Sequence, residues 1–222
     1  MSAPMLRTRT SRARLVCSCL SAVVAAAALA PASAASAESF AFTILRENDP
    51  VGHDAYVITT NGDEKTVHVE TQSDAKVLFI SFHYRHSRTE VWKGATLLRF
   101  TSDTDDDGTK HHVEAHQEGG MLVGTVDGAR KTLPGNAIPF TLWTHDLLTP
   151  SIPLFDIQDF APLKIQFIDK GNASLSLAGR TVAVHHYQVT GDLQWELWYA
   201  ADGTLLKTAF KRLGYPISFV RQ

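Results

Sequence analysis

From Phe40 to the C-terminus, apolar and polar residues alternate in short runs with a period of two, each run closed by Gly, Asn or Asp. In "FAFTILR" the alternation puts Phe40, Phe42 and Ile44 on one face. In "AKVLFISFHYRH" it gathers Leu78, Ile80, Phe82 and Tyr84. Runs of this kind recur at intervals of about ten residues, through "RTEVWKG", "ATLLRFTS", "TKHHVEAHQEG" and "GMLVGTVDG" to "TLLKTAFKRLG" and "YPISFVRQ". Such spacing, punctuated by turn residues, predicts an antiparallel meander. Asn61-Gly62 is a hairpin signal, because both residue types tolerate positive φ.

One stretch departs from the alternation. In "IPFTLWTHDLLTP", Pro139 is placed to open a helix and Pro150 to close it, and Phe140, Trp143, Leu147 and Leu148 fall at helical spacing. The following "SIPLFDIQDFAP" reads as a loop held against an apolar surface. A dozen or so strands and one helix predict an all-β fold: one highly curved, mostly antiparallel sheet or half-barrel, with a short helix at about 139–149 across its concave face. The sheet must bury its apolar side against something, and a half-barrel of this kind leaves a groove suited to a lipophile. The groove candidates are Phe42, Phe100, Trp143, Leu147, Trp195, Leu197, Tyr199 and Phe210. In "DLQWELWYAADG" Leu193, Trp195, Leu197 and Tyr199 share one face, which leaves Trp198 on the polar side.

The first residues change the compartment. Arg7, Arg9, Arg12 and Arg14 precede an uncharged run, Leu15 to Ala30, and then Ala-Ser-Ala at 32–34 and again at 35–37. Basic start, short apolar run and small-residue cleavage site describe a secretory signal peptide over 1–37, with one β-rich domain over 38–222. The run is shorter than the roughly 20 apolar residues of a membrane span, so the expected mature chain is exported, to the periplasm or beyond, with no transmembrane span. Cys17 and Cys19 leave with the leader, so no disulfide is expected. Loss of four arginines and no acidic residue moves the formal charge from −2 to about −6, which argues against nucleic acid as a partner.

Motifs for chemistry are sparse. "DTDDDGTKHHVE", residues 103–114, fits the calcium-loop expression at every fixed position. Its flanks alternate like strands instead of helices, and Asp-rich sequence ending in Asp107-Gly108 is what a hairpin turn uses, so an ordinary solvated turn is expected. Histidines cluster, and His112, Glu114 and His116 would point the same way along a strand. They lack the spacing of a recognised zinc motif, and no metal or other cofactor is expected. No G-x-S-x-G or phosphate-cradling loop occurs. Asp156 and Asp159 form a pair with no evident partner, and Glu90, Glu114 and Glu196 lie in predicted strands beside aromatics, where a structural ion pair is the commoner role. No catalytic residue is assigned.

The strings "RTVAVHHYQVTGDLQWE" and "WYAADGTLLKTAF", with "LRFTSDTDDDGTKHHVEA" and "IPFTLWTHDLL", resemble an uncharacterised exported bacterial family known only as a domain of unknown function. The resemblance runs over about 40–222 and rests on turn and aromatic positions. In outline that family is similar to the periplasmic lipoprotein-localisation carriers, whose open, curved sheet holds acyl chains. The resemblance implies the fold; the aromatic-rich face and the missing catalytic motif lead to the expectation of an exported, non-catalytic binding or carrier module for a lipophilic small molecule. An envelope protein-interaction domain is the alternative, and a metal-dependent hydrolase on the His112–Glu114–His116 strand is a third.

Overall fold

A computed structural model describes residues 35–77, 80–149 and 151–222. The leader expected over 1–37 lies outside them up to residue 34, while Ser36 and Ala37 already belong to the first strand, β1 (Ser36–Arg46). Seven more strands follow as hairpins: β2 (Asp49–Asn61), β3 (Glu64–Val77), β4 (Ile80–Lys93), β5 (Thr96–Asp106), β6 (Thr109–Glu118), β7 (Met121–Val126) and β8 (Ala129–Pro134). A strap with three two-residue strands comes next, β9 (Ile138–Pro139), β10 (Leu154–Phe155) and β11 (Pro162–Leu163). The chain then returns to hairpins with β12 (Ile165–Leu177), β13 (Arg180–Gly191), β14 (Trp195–Tyr199), β15 (Leu205–Arg212) and β16 (Tyr215–Arg221).

Turn chemistry accounts for many of the reversals. Asp107-Gly108, Asp127-Gly128, Ala178-Gly179 and Leu213-Gly214 all have positive φ at both residues, the geometry whose twist suits a two-residue hairpin. At the second hairpin the turn is Gly62-Asp63, one residue later than the Asn-Gly pair suggests, because Asn61 still pairs with Glu64.

The main sheet has thirteen strands in the order β12-β13-β14-β15-β16-β1-β2-β3-β4-β5-β6-β7-β8, antiparallel throughout. The two runs of hairpins join at the β1–β16 pair, in which Phe42 faces Arg221 and Arg46 faces Ile217. The meander is therefore continuous through the chain ends and interrupted where the strap leaves β8 and enters β12. It does not close into a barrel.

Curvature is visible in the contacts. Arg212 on β15 forms an ion pair with Asp106 on β5, six strands away, a separation of about 29 Å in a flat sheet. Inward residues of nearly every strand, including Phe42, Tyr56, Val69, Trp92, Phe100, Val113, Leu122 and Leu197, belong to one buried cluster. The strap fills the concave side with Ile138, Phe140, Leu142, Leu147, Phe155 and Phe160.

The helix expected over 139–149 is not formed. That span holds a single 3-10 turn, Asp146–Leu148, and is otherwise the end of a short strand followed by bends and irregular chain. Two facts explain the difference. Ala137 to Leu142 are buried at six consecutive positions, whereas a helix would have turned some of them to solvent. The backbone also finds partners in the strap: the Ile138 amide donates to Pro153 O at 3.0 Å and the Phe140 amide to Phe155 O at 2.9 Å. Tertiary pairing overrides a weak local preference. Among the described residues no helix is long and apolar enough to cross a membrane.

Candidate functional site

The 103–114 segment is the β5–β6 hairpin, with Asp107-Gly108 as its turn. Its acids are engaged locally: Asp105 Oδ1 accepts the Gly108 amide at 2.8 Å, Asp103 pairs with His112 at 2.7 Å and Asp107 Oδ1 accepts the His83 amide at 2.6 Å. The His112–Glu114–His116 row lies exposed on the convex face. His112 Nε2 is 3.3 Å from Glu114, while His116 pairs with Glu118 at 3.7 Å. Hydrogen bonding to Asp103 raises the His112 pKa above that of a free imidazole. Among the described residues no group of three or more His, Cys, Asp or Glu side chains is placed to hold a metal ion.

The concave side carries the feature of interest, a partly open apolar cavity of about 240 Å³ between the sheet and the strap. Residues beside four hairpin turns line its outer end: Arg46, Phe82, Asp107 and Leu213. Leu213 is 70% exposed. One wall is apolar, built by Trp195, Phe210, Ile217 and Phe219 from β14 to β16. Trp195 stacks on Phe210 with ring centroids 4.2 Å apart, and Phe210 meets Phe219 edge-on at 5.8 Å. Phe140 and Leu142 of the strap cover this wall, Phe140 meeting Trp195 edge-on at 5.3 Å.

The opposite wall is polar. Alternation on β4 turns Tyr84, His86 and Arg88 towards the cavity, beside Asp54 of β2 and Thr71 of β3. Arg88 is 4% exposed, and its Nε donates to Glu90 Oε1 at 2.8 Å while another guanidinium nitrogen donates to Thr141 Oγ1 on the strap at 3.0 Å. Glu90 is fully buried, and its second oxygen accepts both indole N–H groups, from Trp92 at 3.0 Å and Trp143 at 2.7 Å. A buried carboxylate with all these donors is well satisfied, and it ties the strap to the sheet.

Burial sets the protonation of this wall. Burial works against the Arg88 charge, but Tyr56, Glu90 and Asp54 outweigh it and hold the pKa above its usual range. Burial raises the Asp54 carboxyl, with Arg88 opposing, and Thr71 donates to Asp54 Oδ1 at 2.6 Å. Burial, helped by the positive Arg88, lowers the His86 pKa to about 3, so this imidazole is neutral at physiological pH. His86 Nδ1 lies 2.8 Å from Thr104 Oγ1, and its Nε2 has no hydrogen-bond partner. Nearer the mouth, Gln158 of the strap donates to the Tyr84 hydroxyl at 2.9 Å, and burial raises the Asp156 carboxyl.

The groove candidates separate into two groups and one outlier, Trp143. Trp195 and Phe210 line the cavity. Phe42, Phe100, Leu147, Leu197 and Tyr199 are packed inside the core cluster: Phe100, for instance, meets strap residue Phe155 edge-on at 5.2 Å. Trp143 is half-buried, with its N–H on Glu90 and Lys65 over its ring at 4.7 Å. Selection by aromatic content misses Asp54, His86 and Arg88. The signal for them was present in "YRHSRTEVW", where His86, Arg88 and Glu90 share the parity of Trp92 and so form a polar stripe on a face that also carries core. Asp156 sits on the strap near the cavity mouth, whereas Glu114 is exposed and Glu196 pairs with His186 at 2.6 Å.

An open antiparallel sheet curled around a strap, with an apolar cavity held between them, defines the class as β-barrel-like. The chain belongs to the family described as "Domain of unknown function (DUF6134)", which matches residues 42–222. A solved structure of similar shape is the β-barrel-like protein of domain of unknown function DUF1849 from Brucella abortus, with a TM-score of 0.58 and 11% sequence identity, covering 84% of this chain and 94% of that one. At that identity the likeness concerns the fold alone. No curated protein matches the chain.

Proposed function

We propose that this protein is an exported, non-catalytic binding or carrier module for a lipophilic small molecule, which occupies the cavity between the strap and β14–β16. The observation that carries this reading is the 240 Å³ apolar cavity walled by the Trp195–Phe210 stack. In an otherwise closely packed interior, a void of that size lacks the contacts that packing normally supplies, and an apolar occupant would restore them. The volume lies just below the roughly 300–1,000 Å³ of pockets that enclose drug-sized ligands. It therefore suits a short chain, or one end of a longer one. Mass spectrometry of an organic extract of the protein purified from its native host tests the proposal. The expected result is a stoichiometric lipophile, lost from a Phe210→Asp variant that still folds. Protein that yields none from native host, and binds no apolar probe, would refute it.

The alternative of an envelope interaction domain draws support from β12, a thirteen-residue strand that among the described residues pairs within the main sheet only to β13. A strand edge of that length is a template for a partner strand. Ile168→Lys, which charges a side chain 42% exposed on this edge strand, would then abolish association with envelope partners and leave ligand content unchanged.

A further inference from the structure

The open end of the cavity carries an exposed apolar tip. We infer that this end docks on a phospholipid bilayer with zwitterionic headgroups, Leu213 entering the acyl region, so that a lipophile passes between membrane and cavity without crossing water. The docking serves the binding role proposed above and rests on it.

The β15–β16 tip reads Lys211-Arg212-Leu213-Gly214-Tyr215-Pro216. Leu213 is 70% exposed and Tyr215 38%, and both line the mouth of the cavity. Exposure of that degree gives the fold little packing in return, and the backbone adds a cost. Leu213 sits at φ 50°, in the left-handed region that bulky side chains avoid. The comparable two-residue turns hold Asp107, Asp127 and Ala178 at this position, residues that are polar or small. A tip that breaks turn chemistry and also exposes apolar surface marks function more than folding.

Its surroundings favour a bilayer over a protein partner. The apolar part of the tip is one leucine and one tyrosine, far short of the roughly 800 Å² that each side of a stable protein–protein interface buries. Leu213 stands at the turn itself, with Arg212 and Tyr215 paired directly behind it and Arg46 over the Tyr215 ring at 5.9 Å. Apolar tip, amphipathic aromatic and then cation is the order of the acyl, interfacial and headgroup layers. The β1–β2 tip is tied to this hairpin, since the Glu47 amide donates to Pro216 O at 2.8 Å.

Charge selects the headgroup. Arg46 pairs with Asp49 at 3.8 Å and Arg212 with Asp106. Exposed Lys211 is offset by exposed Glu47 and Asp107 on the adjoining tips. A rim of interleaved charges has no net attraction for an anionic surface, and it matches the phosphate and ammonium of zwitterionic lipid.

Co-sedimentation of protein purified from its native host with phosphatidylcholine vesicles tests the inference. Binding is expected, little changed by added anionic lipid or by salt. Leu213→Asn, which suits the left-handed turn, should weaken binding about tenfold, the effect of withdrawing most of one leucine side chain from lipid. Its melting temperature should equal or exceed that of the unmodified protein, which excludes a folding defect. Leu213→Trp should keep binding and add fluorescence that acyl-brominated lipid quenches. Undiminished binding by Leu213→Asn, or binding that appears only with anionic lipid, would overturn the inference. Binding to native membranes that is lost when those membranes are treated with protease would also overturn it, placing a protein at the tip. If the unmodified protein takes up N-phenyl-1-naphthylamine in buffer but ignores vesicles, the docking falls and the carrier role stands. Failure to bind either would overturn both.

Discussion

Acidification from pH 8 to pH 5 tests the electrostatics of the cavity wall through one residue. In the folded protein the His86 pKa is lowered to about 3, against 6.5 for the ordinary side chain. Below pH 6.5 the unfolded chain takes up a proton at this position that the native state refuses. Stability contributed by the neutral, buried imidazole is thus complete above pH 6.5 and is lost as pH falls towards 3, where the native state protonates too. At pH 5 the unfolded chain is about 1.5 units below its His86 pKa, and each unit is worth about 1.4 kcal/mol, so the loss is about 2 kcal/mol. Asp54 acts in the opposite sense: its carboxyl pKa is raised by burial, so its contribution favours the folded state as pH falls towards 3.8. His112, also raised, acts in that direction as well. Both are present with or without His86, so the measurement is a difference between proteins. Urea unfolding of the unmodified protein and of His86→Gln at the two pH values isolates it. The stability gap between the two proteins is expected to shift by about 2 kcal/mol in favour of the variant on going to pH 5. A gap that stays constant within about 0.5 kcal/mol would mean that His86 titrates in the native state as it does in the unfolded chain, and the description of it as a buried, neutral group would be wrong.

Three further outcomes are expected. Glu90→Gln removes the partner of Arg88 and sets an amide N–H against donors from Arg88, Trp92 or Trp143; urea denaturation should show a loss of about 3–5 kcal/mol, and a loss under about 1 kcal/mol would refute the role of Glu90 as anchor of the strap. Calcium titrated to a hundred micromolar or so should leave the melting temperature unchanged, because the 103–114 acids serve a β-turn and its cross-strand pairs; a rise of several degrees would reinstate a metal site there. If residues 1–37 act as the secretory leader proposed for them, cleavage is expected after Ala34, since that preserves the pairing of Ser36 with Thr60 and Ala37 with Thr59, and N-terminal sequencing of the mature protein reads this directly; a start at Glu38 would show those pairs to be dispensable.

The alternation was strong enough to announce the sheet because a period of two is imposed by the pleat itself, whatever the strand pairs with. Phe42, Phe100, Leu197 and Tyr199 were legible as inward residues for this reason, and the Asp-Gly steps marked hairpins through their tolerance of positive φ. Trp195 and Phe210 were legible as aromatics of one face, but nothing local distinguished them from Phe100 or Tyr199. Whether a side chain lines a void or packs into the core depends on where the strap lies, and the strap's local pattern does not show its course. Its spacing suited a helix, yet Ile138 and Pro139 pair with β10 and their neighbours are buried all round. The polar wall was harder to see, because a buried Arg or Glu has the same sequence signature as an exposed one until its partners are in place. Arg88 finds Thr141 fifty-three positions away, and Glu90 finds Trp143 at the same distance.

What the sequence determined by itself was local: strands, turns, the face each residue occupies and the absence of cysteine beyond residue 19. Only the tertiary structure decided that the first and last strands pair, that the sheet breaks at the strap and that a cavity remains with His86 unpaired on its wall. The physical reason is range. Pleat and turn geometry are fixed by neighbours in the chain, whereas curvature, void and buried charge follow from contacts between strands that the chain brings together only when it folds.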